Sequence, residues 1–263
     1  MKETKEKNIN KRRLHMQYIV LDLEFNQDIA SLNTADKQKL KNTFEIIQIG
    51  AIKLDSKFNT VSTFDRYIKP IIYMKINSFV AELTGITTEK LLEEETFTEV
   101  FNSFVKFIDD TDSIFCIWGM SDIKEIFKNV EYNKLNLNLL PRMFINLQPY
   151  VSTYLNLPHN KQLRLEHAVE LLGIEANYKF HNAFYDAYYT SEIFKKINNP
   201  YIIPRFYDPT HVTIRPRQRK QVIEFDKLIK QFEKMYFREL TVEEQEMIKL
   251  AYKMGKTKQF LNL

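Results

Sequence analysis

The sequence predicts an α/β fold, in which one mixed β-sheet, a three-stranded antiparallel meander plus parallel strands, is flanked by helices. Two observations predict it: apolar, β-rich runs come first, separated by a short turn, and short apolar runs then alternate with amphipathic segments. No internal repeat is present. The 263 residues, 44% of them hydrophobic, suffice for one large domain with extensions or for two small domains.

The meander is predicted from the first part of the chain. Its three strands are YIVLDLEF (18–25), FEIIQIGAIKLD (44–55) and VSTFDRYIKP (61–70). The turn SKFN joins the second strand to the third, and Pro70 closes the third. Consecutive strands joined by so short a turn pair antiparallel.

Helices and further strands follow. Residues 78–110 are predicted to be helical in pieces, and Thr96 followed by Glu99 has the pattern of a capping box. The continuous apolar run SIFCIW (113–118) predicts a buried, parallel strand, and MFINLQPY (143–150) a weaker one. Three more helices are predicted, at residues 121–130, 163–174 and 181–197.

Charge and composition predict three regions: a flexible basic lead (1–15), a folded domain (16–200) and a basic helical C-terminal extension (201–263). Lys and Arg outnumber Asp and Glu by six to two in residues 1–13 and by thirteen to eight in residues 201–263. The whole chain is only +4, so its centre is acidic. A cation-binding centre with arms that contact phosphate fits this pattern, and solvated tails fit it equally.

Several classes of protein are excluded. The single cysteine, Cys116, rules out an intramolecular disulfide framework and a cysteine zinc site. No apolar stretch approaches the roughly 18 residues of a membrane span. The charged N-terminus has no apolar segment of the secretory type after it, so the expected location is the cytoplasm, with no membrane partner.

Two carboxylates stand out in the first strand. Asp22 and Glu24 are two residues apart, so in a strand they point to the same face. The apolar residues around them predict that the strand is buried on both faces, where two like charges are costly unless a cation lies between them. A solvated edge strand is the alternative.

Three later residues join these two in the prediction. Asp122 follows the strand 113–118, although an acid at a helix start is also favoured by the helix dipole alone. Asp186 lies in HNAFYDA (181–187), an aromatic and apolar setting for a charge, and His181 begins that predicted helix. Four carboxylates with one histidine predict two Mg²⁺ or Mn²⁺ ions rather than zinc. His181 would take the proton of an attacking water in phosphoryl transfer.

The motifs LDLEF, WGMSD and HNAFYDA resemble, in order and spacing, the three motifs of the DEDDh 3′–5′ exonuclease superfamily, relatives of the bacterial proofreading subunit. The likeness covers about residues 17–197 and is greatest to the branch of animal histone-mRNA and small-RNA exonucleases and their bacterial counterparts. It implies a ribonuclease-H-like sheet and an exonuclease domain at residues 16–200. In the sister branch a tyrosine stands four residues before the last aspartate, where this chain has Asn182.

The resemblance implies a role for each motif residue. Asp22, Glu24, Asp122 and Asp186 would hold the metal ions, and His181 would be the general base. ELTGIT (82–87) resembles the family segment near the terminal nucleotide. That likeness implies substrate binding by Phe25, Thr84, Gly85 and Ile86.

The resulting hypothesis is a metal-dependent exonuclease that binds the 3′ end of single-stranded RNA or DNA and releases nucleoside 5′-monophosphates. The alternative is a regulatory or binding protein on the same fold, which would contact a protein or RNA partner through residues 201–263. RPRQRK (215–220) could contact a nucleic-acid backbone or form a solvated linker.

Overall fold

The computed structural model describes residues 16–28, 44–109, 112–158, 162–210 and 224–256. The chain falls into two compact units, which divide between residues 211 and 212. The predicted basic lead, residues 29–43 between the first two strands, and the run 215–220 lie outside the described residues.

The first unit is built on a six-stranded mixed sheet. Its strands are β1 (Tyr18–Asn26), β2 (Glu45–Leu54), β3 (Thr60–Tyr67), β4 (Ile114–Ile117), β5 (Met143–Asn146) and β6 (Arg205–Phe206). Their order across the sheet is β3-β2-β1-β4-β5-β6. β1 to β3 form the antiparallel meander, β4 and β5 run parallel to β1, and β6 is antiparallel to β5. The predicted fold class is confirmed.

Helices connect and cover the strands. Within the part of the first unit that the structure describes, the α-helices are α1 (Ser78–Thr84), α2 (Thr88–Leu91), α3 (Phe97–Ile108), α4 (Ser121–Tyr132), α5 (Gln148–Tyr154), α6 (Leu165–Leu171) and α7 (Ala183–Ile197). The predicted capping box opens α3: the Thr96 side chain accepts from the backbone at the third helical position, and the Glu99 carboxylate accepts from the Thr96 amide.

Several predicted boundaries are wrong, among them the end of the third strand, which was predicted at Pro70 and lies at Tyr67. The strand predicted over 143–150 ends at Asn146, and Pro149 lies in the first turn of α5, where a missing amide hydrogen costs nothing. The helix predicted over 163–174 covers only Leu165–Leu171. The last core helix begins at Ala183, because His181 has a left-handed backbone (φ 62°) and Asn182 caps the helix in an extended conformation.

The sheet separates two hydrophobic layers. Leu21, Leu23 and Phe115 pack with α3 and α4 on one face. Val20 and Cys116 pack with α6 and α7 on the other face. Successive strand residues therefore serve opposite layers, and the α7 face is the one to which Asp22 and Glu24 belong. Burial also raises the pKa of the Cys116 thiol well above its ordinary value.

Residues just beyond position 200 add to the first unit. β6 extends the sheet by two residues, and the Tyr207 ring packs 4.9 Å from the Phe127 ring. The Tyr150 hydroxyl donates to the Ile203 carbonyl at 3.3 Å and accepts from its amide at 3.2 Å. These contacts attach the start of the predicted C-terminal extension to the sheet.

Within its described residues, 224–256, the second unit has two helices, α8 (Phe225–Tyr236) and α9 (Val242–Lys256). The rings of Phe225 and Tyr252 meet edge to face at 5.6 Å, and Arg238 forms a bidentate ion pair with Glu244. Among the described residues of both units, no helix combines the length and apolar character needed to cross a membrane.

Candidate active site

The site is built on the C-terminal half of β1. Asp22 and Glu24 pair with Gly50 and Gln48 of β2, so each carboxylate stands beside a residue of the neighbouring strand. The residues between and before them, Leu23 and Leu21, enter the opposite hydrophobic layer. The alternation of the strand therefore places both acids together on the face covered by α7.

Helix α4 brings the third carboxylate. β4 runs parallel to β1 and ends at Ile117, and α4 begins four residues later with Asp122 in its first turn. Asp122 is buried, at 5% exposure. Because parallel strands end at the same edge of a sheet, Asp122 arrives beside the end of β1.

Helix α7 brings the fourth. Asp186 lies in its first turn, at 8% exposure. Asp22, Glu24 and Asp186 each offer one carboxylate oxygen, and these three oxygens lie within 4.8 Å of one another. Asp122 is outside this tightest group, but its charge acts on both Asp22 and Glu24. The structure thus brings together all four predicted carboxylates.

His181 belongs to the segment that leads into α7. Its backbone amide donates to Asp186 Oδ2 at 3.1 Å, and its side chain is exposed. The left-handed backbone at His181 turns the chain into the helix and brings the His181 amide, five residues before Asp186 in the sequence, to the Asp186 carboxylate.

The four carboxyl groups disfavour one another's ionisation. Burial raises the pKa of Glu24 to about 8 and the pKa values of Asp122 and Asp186 to about 7. Burial, followed by repulsion from Asp122, Asp186 and Glu24, raises the pKa of Asp22 well above its ordinary value. The Leu23 amide lowers the pKa values of Asp22 and Asp122, but less than burial raises them.

The donor set fits a divalent cation. Asp186 Oδ1 is buried and, within the described part of the chain, has no hydrogen-bond partner, so one oxygen of the cluster is available as a ligand. Clustered carboxylate oxygens are the hard ligands that Mg²⁺ and Mn²⁺ prefer. A cation there would also offset the burial that raises all four pKa values and the repulsion that adds to it at Asp22, Glu24 and Asp122.

The predicted substrate-binding residues occupy different environments. The Phe25 ring is half-buried, 6.0 Å from the Phe44 ring. Thr84 ends α1 and its hydroxyl accepts from the Ile86 amide at 3.0 Å, while Gly85 is exposed with a left-handed backbone (φ 74°). Ile86 is 1% exposed and packs with Ile47 and Leu91, so its side chain supports the segment from within.

The structure also reveals polar residues that sequence reasoning missed. The Glu45 carboxylate accepts hydrogen bonds from the backbone amides of Ile71, Ile72 and Tyr73. The Asn26 amide donates to the Lys75 carbonyl and accepts from the Asn77 amide. Together they attach the loop before α1 to the ends of β1 and β2.

The signal for these residues was present in the sequence. Glu45 and Gln48 are polar residues inside EIIQIGAIKL, a strand of ten buried residues. A polar side chain at such a position needs a hydrogen-bond partner, which predicts a structural or positioning role.

Comparison with known proteins identifies the family. A sequence model of the RNase T-type exonuclease family matches residues 19–194, which span all four carboxylates and His181. The chain belongs to the exonuclease family. This confirms the relationship that the three motifs predicted.

Individual relatives share part of the chain. A PolC-type DNA polymerase III of Thermotoga maritima is 30% identical over 154 residues, which cover 57% of this chain and 10% of the relative. The 3′-5′ exoribonuclease 1 of Rattus norvegicus is 22% identical over 153 residues, covering 54% of this chain and 44% of the relative. The chain thus spans less than half the length of either relative.

A solved structure supports the fold. The nuclease domain of 3′hExo, described as a DEDDh family member bound to rAMP, superposes with a TM-score of 0.61 at 17% identity. The superposition covers 74% of this chain and 97% of that domain. At this identity the likeness concerns the fold, the ribonuclease-H-like mixed sheet with flanking helices.

Proposed function

We propose that this exonuclease-family protein is a metal-dependent 3′–5′ exonuclease that hydrolyses single-stranded RNA or DNA to nucleoside 5′-monophosphates. The observation that carries the proposal is the meeting of Asp22, Glu24 and Asp186 within 4.8 Å, with one Asp186 oxygen lacking a partner among the described residues. The family membership and the names of the relatives support the same activity.

In this proposal Asp22, Glu24, Asp122 and Asp186 hold two divalent ions, Mg²⁺ or Mn²⁺. Ions held by these carboxylates would supply the positive charge that stabilises the attacking and leaving oxygens of an in-line displacement at phosphorus. The exposed His181 side chain accepts a proton from the attacking water, and the leaving oxygen stays on the shortened strand. No covalent intermediate with the protein forms.

Substrate binding is proposed for the segment around α1. Phe25 and the turn at Thr84 and Gly85 would contact the terminal nucleotide, while Ile86 holds that turn against the core. The relatives include DNA polymerases and an exoribonuclease, so both sugars are candidates.

The test is a digestion assay. The purified protein is incubated with 5′-labelled single-stranded RNA or DNA of one sequence, with Mg²⁺, Mn²⁺ or EDTA. We expect a metal-dependent ladder that shortens from the 3′ end, and we expect a 3′-phosphorylated substrate to resist. The faster ladder identifies the preferred sugar.

Two variants test the site in the same assay. Asp186→Asn and Asp22→Asn keep the size of each side chain and remove a charged ligand, so metal-dependent cleavage should disappear. Glu93→Gln changes an exposed carboxylate in the turn after α2 and should cleave normally. Wild-type rates in either aspartate variant would overturn the site assignment.

A second role, binding of a protein or RNA partner through the C-terminal extension, is favoured by one observation. Large apolar side chains at and beside the junction of α8 and α9 are exposed, among them Phe237 at 95% and Val242 at 76%. Because residues 205–207 pack on the sheet, the informative truncation removes 212–263 and not 201–263. Loss of partner capture with cleavage retained would support this role.

A further inference from the structure

Gln48 lies in β2, directly opposite Glu24, in a strand whose ten residues are all buried. The side chain is 0% exposed. Burying a side-chain amide at such a position destabilises the fold unless both its carbonyl oxygen and its NH₂ group are hydrogen-bonded.

Both ends of the Gln48 amide are bonded. Its Nε2 donates to Asp65 Oδ1 at 2.8 Å, and its Oε1 accepts from the Ala183 backbone amide at 3.3 Å. An ionised carboxylate can only accept, so Asp65 fixes the NH₂ end of the glutamine toward β3. The carbonyl end must then point toward α7.

Ala183 is the first residue of α7, where backbone amides have no partner within the helix. Asn182 Oδ1 accepts from the amides of Phe184 and Tyr185, and Gln48 accepts from Ala183. The bond from Gln48 is the one among these that ties the helix start to the sheet rather than to its own cap.

Gly50, which has no side chain, lets the start of α7 approach β2 closely enough for this bond to form. A methyl group added at Gly50 would lie 2.1 Å from the Ala183 carbonyl carbon and 2.2 Å from the Phe184 nitrogen. Asp65 pairs with Gly50 across β2 and β3. The Gln48–Asp65 hydrogen bond therefore lies next to the place where the first turn of α7 contacts Gly50.

We propose that Gln48 is a positioning residue of the active site and that Asp65, on the exposed strand β3, orients it. The Asp65–Gln48–Ala183 relay sets the register of the segment that carries His181 and Asp186 over Asp22 and Glu24. The relay rests on the proposed function for its effect on catalysis, but its hydrogen bonds can be tested without any substrate.

The first experiment measures amide hydrogen exchange by NMR in the full-length, metal-free protein. In Asp65→Ala the glutamine loses its orienting partner, so exchange at the Ala183 amide should rise by about tenfold, as expected for loss of about 1.4 kcal/mol of local protection. Glu93→Ala, which removes another exposed carboxylate, should leave exchange at Ala183 unchanged. Wild-type exchange at Ala183 in Asp65→Ala would overturn the relay.

The second experiment measures kcat, KM and the melting temperature of the same variants. Asp65 is exposed, so its loss should scarcely change the melting temperature. A displaced catalytic segment should lower kcat by about 10- to 100-fold, with KM within about threefold. A purely structural role would instead lower the melting temperature and leave kcat unchanged, and this result would also contradict the proposal.

A polarity swap provides the rescue. Gln48→Glu alone places a carboxylate against the carboxylate of Asp65, and the two repel each other. This variant should lower kcat and increase hydrogen exchange at the Ala183 amide. Combined with Asp65→Asn, the new asparagine can donate to the new glutamate, whose second oxygen again accepts from Ala183, at the same total charge. Recovery of protection at Ala183 in the double variant supports the relay, and equal loss in the single and double variants refutes it.

The two proposals fail in different ways. If the wild-type protein digests neither RNA nor DNA while Ala183 exchange still responds to Asp65→Ala, the proposed function is wrong and the relay stands. If the wild-type protein digests and Asp65→Ala matches it in kcat and in exchange, the relay is wrong and the function stands.

Discussion

Helices α4 and α7 each bring one carboxylate to the end of β1, but they are held in place by different means. α4 has no side-chain cap at its start and is fixed by core residues, including Ile123, Ile126 and Phe127. α7 is fixed at its start by polar contacts from Asn182 and Gln48.

The far end of α4 is held by a side chain, Asn129, whereas its start has no side-chain cap. Asn129 donates to the carbonyls of Phe44 and Glu125 and accepts from the Ile46 amide. Asp122 is therefore placed by the packing of a whole helix, whereas Asp186 depends on a few contacts that single substitutions remove. Substitutions at the contacts that hold α4 should therefore mainly lower stability, and substitutions at the contacts that hold the start of α7 should mainly lower activity.

The two helices are alike in one respect, because each places its carboxylate in the same cluster of like charges, beside Asp22 and Glu24 of β1. Their folded-state pKa values, about 7 for Asp122 and Asp186 and about 8 for Glu24, lie above the ordinary values near 4. The folded state thus holds these protons more tightly than the unfolded state, and that stabilisation is lost as pH rises from about 4 through 8.

The expected result is a melting temperature in EDTA that falls as pH rises through this window. Asp22→Asn should flatten the fall, and so should Mg²⁺, which binds the ionised groups. Differential scanning calorimetry of the wild-type and variant proteins at several pH values measures the effect. Parallel curves for the two proteins would contradict the repulsive cluster.

Gly50 provides the sharpest test on the α7 side. Gly50→Ala places a methyl group 2.1 Å from the Ala183 carbonyl carbon, so strand and helix must separate and Asp186 must move from Asp22. A misplacement of about 1 Å costs about 10²-fold in rate, and kcat should fall by this order.

The matched control is Ala51→Gly at the next position, which faces the opposite layer. It should destabilise the protein by about 0.5–1 kcal/mol without moving α7. A Gly50→Ala variant with wild-type kcat would show that the close contact does not set the position of Asp186.

The smallest effects are expected from substitutions of Asn129 in α4 and of Asn182, the N-cap of α7. Asn129→Ala leaves buried backbone groups at Phe44 and Ile46 without their partner and should cost about 1–3 kcal/mol of unfolding free energy. Asn182→Ala removes a helix cap and should cost about 1 kcal/mol.

Activity should respond in the reverse order, because Asn182 is adjacent to His181, whereas Asn129 lies seven residues, about two helical turns, beyond Asp122 in α4. Urea denaturation and initial rates on the same preparations measure both quantities. If Asn129→Ala impaired kcat more than Asn182→Ala in folded protein, the proposed division between the helices would be wrong.

Much of this architecture could be predicted from the sequence, since its signals are local. The alternation around Asp22 and Glu24, the capping box at Thr96 and Glu99, and the apolar run of β4 each reflect a short-range rule. The order of these segments then specified the meander and the parallel strands, and it brought four carboxylates to one edge.

The remainder depends on tertiary contacts. Nothing local assigns a left-handed backbone to His181, so the start of α7 was predicted two residues early. The strand predicted over 143–150 ran through Pro149, which lies instead in the first turn of a helix, a position that accepts proline. The role of Gln48 requires knowing that Asp65 and Ala183 lie on either side of it, which only the folded sheet reveals.

Cys116, the single thiol of the chain, is fully buried in β4, where it pairs with Val20 of β1. The Cys116 side chain lies in the hydrophobic layer that α6 and α7 form over the sheet, so a thiol reagent can reach it only when that layer opens. α7 carries Asp186, and β1 carries Asp22. The rate of Cys116 labelling under native conditions therefore reports how often the two halves of the metal-ligand set come apart, without any introduced probe.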